Sequence, residues 1–355
     1  MGRVTVGVES GRAGVSPRGW RSGARLRVLV TGGLGFVGSR LCLTLRARGF
    51  EVTAVDCLRS SYLPPAGPAA LARFAEQDIC AVRLLDLARC DVERLVAGHD
   101  CVVHLAALPG VRQRATLGEL WQQNVAVTAG LVAACARLGK RIVFASSSSV
   151  YGDAPALPTP EDAPLAPQGL YAASKAAAEG VCRQLHRSRG ADVVIVRLFT
   201  VFGPGQRPDM AISRWIAALL RDEPLPWSAP SGARRELTVV EDACEGIAAA
   251  LERGVPGRTY NIPGCGSVAL EDLVPVLERL TGRKARTAAR EQHPADVLAT
   301  AACGERARLE LGFAPRRSLL DGLARQVEAT VAHLAAAGPV GQRQRLPLAP
   351  TAAVA

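Results

Sequence analysis

Tyr171 and Lys175 stand four residues apart in the alanine-rich run Tyr171-Ala172-Ala173-Ser174-Lys175. On a helix that spacing brings a phenol and an ammonium out of one face, one turn apart. An ammonium beside a phenol favours the phenolate. A tyrosine whose pKa is drawn toward neutrality can exchange a proton with an alcohol or a ketone. The bland alternative is a chance pair on a solvated helix. Both residue types are scarce, since the chain holds 4 Tyr, and Lys140, Lys175 and Lys284 are its only lysines. The elements that position the pair decide between the two.

Those elements alternate. Arg27 to Val30 reads as a buried strand, Thr31 to Gly38 as a glycine loop and Ser39 to Arg48 as a helix. Strand, glycine loop and helix in that order make a phosphate cradle, in which a pyrophosphate sits on the helix N-terminus. The loop residues concerned are Gly32, Gly35, Phe36, Val37 and Gly38. Glu51 to Val55 reads as the next strand and ends in Asp56, 18 residues after Gly38. A carboxylate there accepts from ribose hydroxyls and repels a 2′-phosphate, which favours NAD over NADP. Otherwise Asp56 is an ordinary strand-end residue.

Ser60 to Ala70 reads as a proline-rich loop and Phe74 to Gln77 as a third strand. That strand would deliver Asp78 and Ile79 to an adenine ring, unless they belong to a surface loop. Leu84 to Val96 reads as a helix. Cys101 to Ala107 is a buried strand whose small end, Leu105, Ala106 and Ala107, lets a cofactor approach the backbone; its His104 reads as a core histidine. Thr116 to Leu138 is a long helix containing Asn124. Arg141 to Ala145 is a strand running into Ser146-Ser147-Ser148-Ser149, where parallel sheets bind ligands.

The helix of Tyr171 and Lys175 comes next, then a strand from Asp192 to Leu198. Beyond it the alternation loosens. Phe202 to Asp209 and Pro224 to Pro230 read as loops, Arg235 to Val239 and Arg258 to Ile262 as strands. Met210 to Leu220, Asp242 to Arg253, Leu270 to Leu280 and Leu319 to Ala336 read as helices. The fold expected is α/β: a doubly wound parallel sheet of Rossmann type with a smaller, mixed C-terminal substrate lobe. The dinucleotide-binding domain spans 25–200 with a return segment near 235–262, and the lobe spans 201–234 and 263–337. Residues 1–24 and 338–355 read as disordered tails. The arginine-rich first tail is also compatible with a transit peptide or a start codon placed too far upstream.

Hydrophobic residues make up 48% of the 355, enough for a substantial core, and no run of 18 apolar residues suggests a membrane span. The ten cysteines are scattered without zinc spacing, so no metal is expected and a reduced, cytoplasmic protein is. The net charge of +11 comes almost wholly from arginine. It suits a diphosphate substrate as well as a nucleic acid, and no nucleic-acid-binding motif accompanies it.

Taken together, these motifs resemble the extended short-chain dehydrogenase/reductase family, specifically its nucleotide-sugar epimerases, over roughly Leu26 to Ala336. The pieces are Gly32-x-x-Gly35-x-x-Gly38, Asp56, Asp78-Ile79, His104 to Ala107, Asn124, Ser146 to Gly152, Tyr171-x-x-x-Lys175, Arg197 to Pro204, Arg207 to Met210 and Tyr260-Asn261-Ile262. The stretches Ala106 to Arg112 and Thr200 to Met210 look most like UDP-glucuronate 4-epimerases. The resemblance implies NAD as cofactor, a UDP-sugar as substrate and a homodimer formed through the helices at Thr116 to Leu138 and Tyr171 to Arg187. It implies a catalytic trio of Ser147, Tyr171 and Lys175. It also implies a substrate shell of Arg112, Ser148, Ser149, Thr200, Arg207, Arg235 and Asp296.

The chain departs from the family pattern at Glu236, where Asp is usual, at Trp227 to Ser231, and at Ala295 in Pro294-Ala295-Asp296-Val297. Family dehydratases carry Asp and Glu at the positions of Ser148 and Ser149, and decarboxylases a Glu at that of Ser149. Neutral serines there favour epimerisation of UDP-glucuronate to UDP-galacturonate through a 4-keto sugar. The alternatives are a UDP-glucose 4-epimerase, a UDP-glucuronate decarboxylase, and a non-catalytic relative that binds NAD or RNA.

Overall fold

The computed structural model describes residues 25–58, 66–110, 115–289, 291 and 296–336. Both expected tails and Arg112 lie outside the described residues. Strands β1 (Arg27–Thr31), β2 (Glu51–Asp56) and β3 (Ala81–Leu84) alternate with helices α1 (Phe36–Ala47) and α2 (Ala66–Glu76). Helix α3 (Val92–Ala97) leads to β4 (Cys101–His104). A continuous helix comes next in three parts: α4 (Leu117–Leu120), a wider π turn over Trp121–Ala126, and α5 (Val127–Arg137). Strand β5 (Arg141–Ser147) passes through a 3-10 turn at Ser148–Tyr151 to α6 (Leu170–Arg189) and β6 (Val193–Leu198).

The chain then builds a second layer from β7 (Thr200–Phe202), α7 (Ala211–Leu220), β8 (Leu225–Trp227) and β9 (Arg234–Val239). It returns to the first through α8 (Val240–Arg253) and β10 (Thr259–Ile262). The remainder is β11 (Ser267–Ala269), α9 (Leu270–Thr281), β12 (Thr287–Ala289), α10 (Glu305–Leu311) and α11 (Leu319–Ala336).

Seven strands form one parallel sheet in the order β10-β6-β5-β4-β1-β2-β3. Strand residues alternate between its two faces. Val28 and Val30 pack toward α1 and α8, whereas Leu29 packs toward α5 and α6. Burial on both faces explains why these strands read as unbroken apolar runs. The chain leaves β1 toward β2 and β3, then crosses back to β4, so the strand order reverses between β1 and β4. Such a reversal opens a crevice at the carboxyl ends of the strands. A three-stranded sheet (β11-β9-β7) and the pair β12-β8 form the smaller layer, with its own core around Trp215, Ile216, Leu237 and Leu273. Among the described residues no helix is long and apolar enough to cross a membrane.

The outer part of the first half differs from expectation. Phe74 to Gln77 is not a strand: the alanine-rich stretch from Ala66 continues as α2, and Phe74 is buried from that helix. The third strand comes later, at Ala81–Leu84, and the helix after it is short. It begins where Asp91 caps it, accepting from Arg94 N at 2.9 Å. Pro224 to Pro230, expected as a loop, contains β8, which pairs with β12.

One buried polar cluster ties the layers together. The Arg197 guanidinium on β6 donates to Glu179 on α6 at 2.9 and 2.8 Å, to the Tyr151 hydroxyl at 2.7 Å and to Glu161 O at 2.9 Å. Tyr151 donates in turn to Asn261 Oδ1 on β10 at 2.7 Å. Tyr151→Phe leaves the ring in place but strands one donor bond and one acceptor. It is expected to lower the unfolding free energy by about 1–3 kcal/mol, read as a lower urea midpoint at constant slope.

Candidate active site

The crevice at the strand ends is a cleft of about 920 Å³ lined from both layers. Its floor is the glycine loop. Gly32 has φ +70°, and a Cβ there would meet Ala106 N at 2.8 Å. A Cβ on Gly38 would lie 2.0 Å from Gly32 O. Only glycine lets the turn close this tightly, with Gly32 N and Gly33 N both donating to Val55 O at 2.8 and 3.1 Å. Helix α1 starts at Gly35 with no side-chain cap and no acid in its first turn, so its amides face the cleft available to an anion. At the tip of β2, Asp56 accepts from Leu34 N at 3.1 Å and Leu58 N at 2.9 Å, which fixes its carboxylate at the rim. Further in, Ser146 Oγ is buried without a hydrogen-bond partner although Ser146 lines the cleft. A buried hydroxyl without a partner is costly unless a ligand satisfies it. The cradle, the carboxylate and this hydroxyl fit a dinucleotide.

Tyr171 and Lys175 leave α6 toward the cleft, beside the serines at the end of β5. Lys175 is 4% exposed, and its Nζ donates to Ala145 O at 2.8 Å over the Phe144 ring, 4.8 Å from the ring centre. Burial pulls its pKa down to about 8. The Tyr171 phenol moves the other way. Burial raises its pKa, while the charge of Arg207 and a hydrogen bond from Ser147 oppose the rise. The expectation that Lys175 by itself draws Tyr171 toward neutrality is therefore corrected. In this structure the ammonium is turned to the Ala145 carbonyl, desolvation dominates, and the charge that favours the phenolate is that of Arg207. Ser149 supports this arrangement, since its Oγ donates to Ser147 Oγ at 2.9 Å and its N–H to the same atom at 3.2 Å. With both acceptor sites of Ser147 filled, its own proton is directed to Tyr171 or to a substrate oxygen.

The structure brings most of the sequence-chosen residues to this cleft. Gly32, Gly35, Phe36, Val37, Gly38, Asp56, Leu105, Ala106 and Ala107 line one end, and Ser147, Ser148, Ser149, Tyr171, Lys175, Thr200, Arg207, Arg235 and Asp296 line the rest. Three chosen residues stand elsewhere. Asp78 and Ile79 precede β3 rather than coming after it: Asp78 is exposed with φ +46°, and Ile79 is buried beside Phe74 and Leu45. Asp86 and Leu87, which do come after β3, occupy the cleft wall in their place. Asn124 is 1% exposed behind the wall, where its amide accepts from Leu108 N at 2.8 Å and donates to Ser174 Oγ at 2.9 Å. It positions the strand-end backbone and helix α6 without facing the cleft. His104 is a core residue, with Thr31 and Thr128 hydroxyls at 2.6 and 3.0 Å from its ring nitrogens. Burial, then the nearby Lys175 charge, lowers its pKa to about 3.

In the second layer, the cleft-facing loop Gly203 to Arg207 is pinned from behind. Gln326 on α11 accepts from Gly203 N at 2.9 Å and donates to Gln206 Oε1 at 2.8 Å. Arg207 forms a bidentate pair with Asp209, both bonds 3.0 Å. Arg235 donates to Leu298 O at 3.1 Å, so it also holds the 298 segment that closes the cleft. The Glu at 236 has a local reason: the longer side chain accepts from Gly264 N, Gly266 N and Ala302 N at 2.8, 3.2 and 3.2 Å, tying β9 to two segments that an Asp would reach less easily. Sequence reasoning passed over Asp86, Leu87, Gln206 and Met210, all of which line the cleft. Placing β3 correctly would have found the first two.

The model of the NAD dependent epimerase/dehydratase family matches residues 28–263. A UDP-glucuronate 4-epimerase of Thermodesulfobacterium geofontis is 32% identical over 312 residues, covering 84% of this chain and 94% of the relative. A dTDP-glucose 4,6-dehydratase of Streptomyces niveus is 33% identical over 317 residues, covering 85% and 92%. Among solved structures, the UDP-glucuronic acid 4-epimerase of Bacillus cereus in complex with UDP-glucuronic acid and NAD superposes with a TM-score of 0.83 at 30% identity. That match covers 87% of this chain and all of the other.

Because Arg207 is the largest influence holding the Tyr171 pKa down, Arg207→Gln is expected to raise it further. An ultraviolet phenolate titration of the variant against the wild type reads this, and a downward or absent shift would contradict the assignment.

Proposed function

The chain belongs to the NAD-dependent epimerase/dehydratase family, and on that premise we propose that it inverts carbon 4 of UDP-glucuronate to give UDP-galacturonate through a 4-keto sugar. Gly32, Gly35 and Gly38 would cradle NAD and Asp56 would meet its ribose, and NAD held there would supply the hydride acceptor and donor for that chemistry. The chain's own residues handle the proton and the geometry. Tyr171 as phenolate takes the proton of the 4-hydroxyl and later returns it, and Ser147 holds the same oxygen. Arg207 keeps positive charge near the phenolate, against the burial that disfavours it, and Lys175 stands one helical turn away on the same face.

The observation that carries the choice among family reactions is the run of hydroxyls after β5. Ser147, Ser148 and Ser149 line the cleft beside Tyr171, and no carboxylate stands among them. Elimination of water across carbons 5 and 6 needs an acid and a base there, which serines do not supply at neutral pH. A glucuronate oxidised at carbon 4 is a β-keto acid, prone to lose carbon dioxide when its carboxylate aligns with the carbonyl π-system. Ser148, Ser149 and Thr200 can hold that carboxylate out of alignment by neutral hydrogen bonds.

With NAD and UDP-glucuronate, proton NMR is expected to show UDP-galacturonate accumulating to equilibrium without UDP-pentose. Mostly UDP-pentose would sink the reading, and a 4-keto-6-deoxy sugar from dTDP-glucose would mark a dehydratase. Turnover of UDP-glucose alone would move the substrate to the neutral sugar. Tyr171→Phe removes the proton acceptor and is expected to lower kcat by about 10²–10⁴-fold.

A homodimer fits the apolar side chains that the helices flanking the cleft leave exposed. Leu117 and Trp121 lie one turn apart, and Leu170 starts α6. Trp121→Glu is expected to halve the mass seen by light scattering; an unchanged dimer would place the interface elsewhere.

A further inference from the structure

Glu179 lies one turn beyond Lys175 on α6 and is 0% exposed. At i and i+4 the two side chains share a helix face, and both are out of solvent, where charges interact strongly. Glu179 does not pair with Lys175. Its Oε1 accepts from Arg197 Nε at 2.9 Å, and its Oε2 from Arg197 Nη2 at 2.8 Å and from both Arg183 terminal nitrogens at 2.9 and 2.6 Å. One carboxylate thus serves two guanidiniums, of which Arg197 is buried and Arg183 reaches the surface with 30% of its side chain exposed.

We propose that Glu179 is a positioning residue that acts through Lys175: its buried carboxylate sustains the charge of the ammonium, and Arg183 and Arg197 set how much of that negative charge Lys175 feels. The role rests on the family reading of Lys175 as the partner of Tyr171. The other groups facing Lys175 cannot supply the charge. From β5 it meets the Ala145 carbonyl and the Phe144 ring, which are neutral. From β4 it meets His104, which burial keeps neutral. On α6 itself stand Tyr171, whose phenol burial holds toward its neutral form before NAD and substrate bind, and Cys182, whose thiol burial pushes up to about 12. Arg207 acts on Tyr171 and, being a cation, cannot sustain the ammonium. Cys182 and then Glu179 are the two groups that raise the Lys175 pKa, and since burial keeps the Cys182 thiol protonated, Glu179 is the one that carries a charge to oppose burial. Burial also works against the Arg197 charge, and Glu179 together with Tyr151 outweighs it, so the carboxylate supports both cations.

The two ends of this arrangement predict opposite signs. Glu179→Gln removes the negative charge, so Lys175 should lose its proton at lower pH. Arg183→Gln removes a competing positive charge, so Lys175 should keep its proton to higher pH. Shifts of about half a pH unit or more in each direction are expected. A loosened helix would move both variants the same way.

Lysine labelled with ¹³C at Cε gives three signals, because Lys140, Lys175 and Lys284 are the only lysines, and Lys175→Arg assigns the one of interest. In the full chain without NAD, the wild-type Lys175 signal is expected to titrate near pH 8, and the same comparison of variants is repeated with NAD bound. It should move down in Glu179→Gln and up in Arg183→Gln. The alkaline limb of kcat/KM on UDP-glucuronate should shift with it, since activity requires the charged ammonium. Shifts of the same sign, or none, overturn the proposal. If Glu179→Gln does not fold, Arg183→Gln decides alone, because Arg183 lies at the surface: an upward shift supports the role and any other result refutes it. A protein inactive on UDP-glucuronate would refute the epimerase reading while the lysine titration still reports on Glu179.

Discussion

The ion pair of Arg197 with Glu179 is the contact on which the rest of the site depends. It joins the last strand of the first βα series to the helix that carries Tyr171 and Lys175, with neither side chain in contact with water. A buried pair is weak evidence of stability, because desolvation offsets most of the attraction. Its value lies in what its loss would do. Removing one partner leaves an uncompensated interior charge, which costs about 3–5 kcal/mol. The surplus donors of Arg197 bind Tyr151 and Glu161 O, and Tyr151 binds Asn261, so the same pair also fixes the segment after the serine turn and the edge strand β10. The register of α6 against β5 and β6 is thus set by polar bonds that tolerate only one alignment, whereas apolar packing alone would tolerate several.

That register matters because the cleft is assembled from separate pieces. The cradle comes from β1 and α1, the serines from β5, the tyrosine and lysine from α6, and Thr200 and Arg207 from the second layer. Each piece is held by bonds behind the cleft wall: Asn124 to Leu108 and Ser174, Gln326 to Gly203 and Gln206, Glu236 to three loop amides. The groups that face the ligand are therefore preorganised by a layer of buried polar residues that never touches it.

Much of this was legible in the sequence because the parallel sheet is buried on both faces. Runs such as Arg27 to Val30 and Cys101 to His104 can be little else, and the glycine loop between β1 and α1 has few other uses. The region from Ser60 to Val96 was not legible. Its helix is alanine-rich and short of the usual signals, and an Asp-Ile pair at 78–79 mimics the strand-end pair that the fold places at Asp86 and Leu87. The role of Asn124 was visible only in part, since a sequence marks a polar residue on a helix without showing which side of a wall it faces. The buried bonds of Glu236 were invisible for another reason: their partners lie 28 to 66 residues away.

The electrostatics show why the Tyr-Lys spacing alone underdetermines the chemistry. The spacing places the two groups on one face, but burial then acts on both, and in opposite senses: it raises the phenol and lowers the ammonium. Each shift disfavours the charged form that a phenolate–ammonium pair requires. The fold compensates from two sides, with Arg207 and Ser147 favouring the phenolate and Glu179 favouring the ammonium. Those supports come from a loop, a strand end and the next helical turn. A chain could keep Tyr171 and Lys175 and lose the proton transfer by altering any of them. It could equally keep the proton transfer and change the product by placing a carboxylate at Ser148 or Ser149. In the reaction proposed above, the pair would set where oxidation occurs, and the neutral hydroxyls beside it would govern the fate of the ketone.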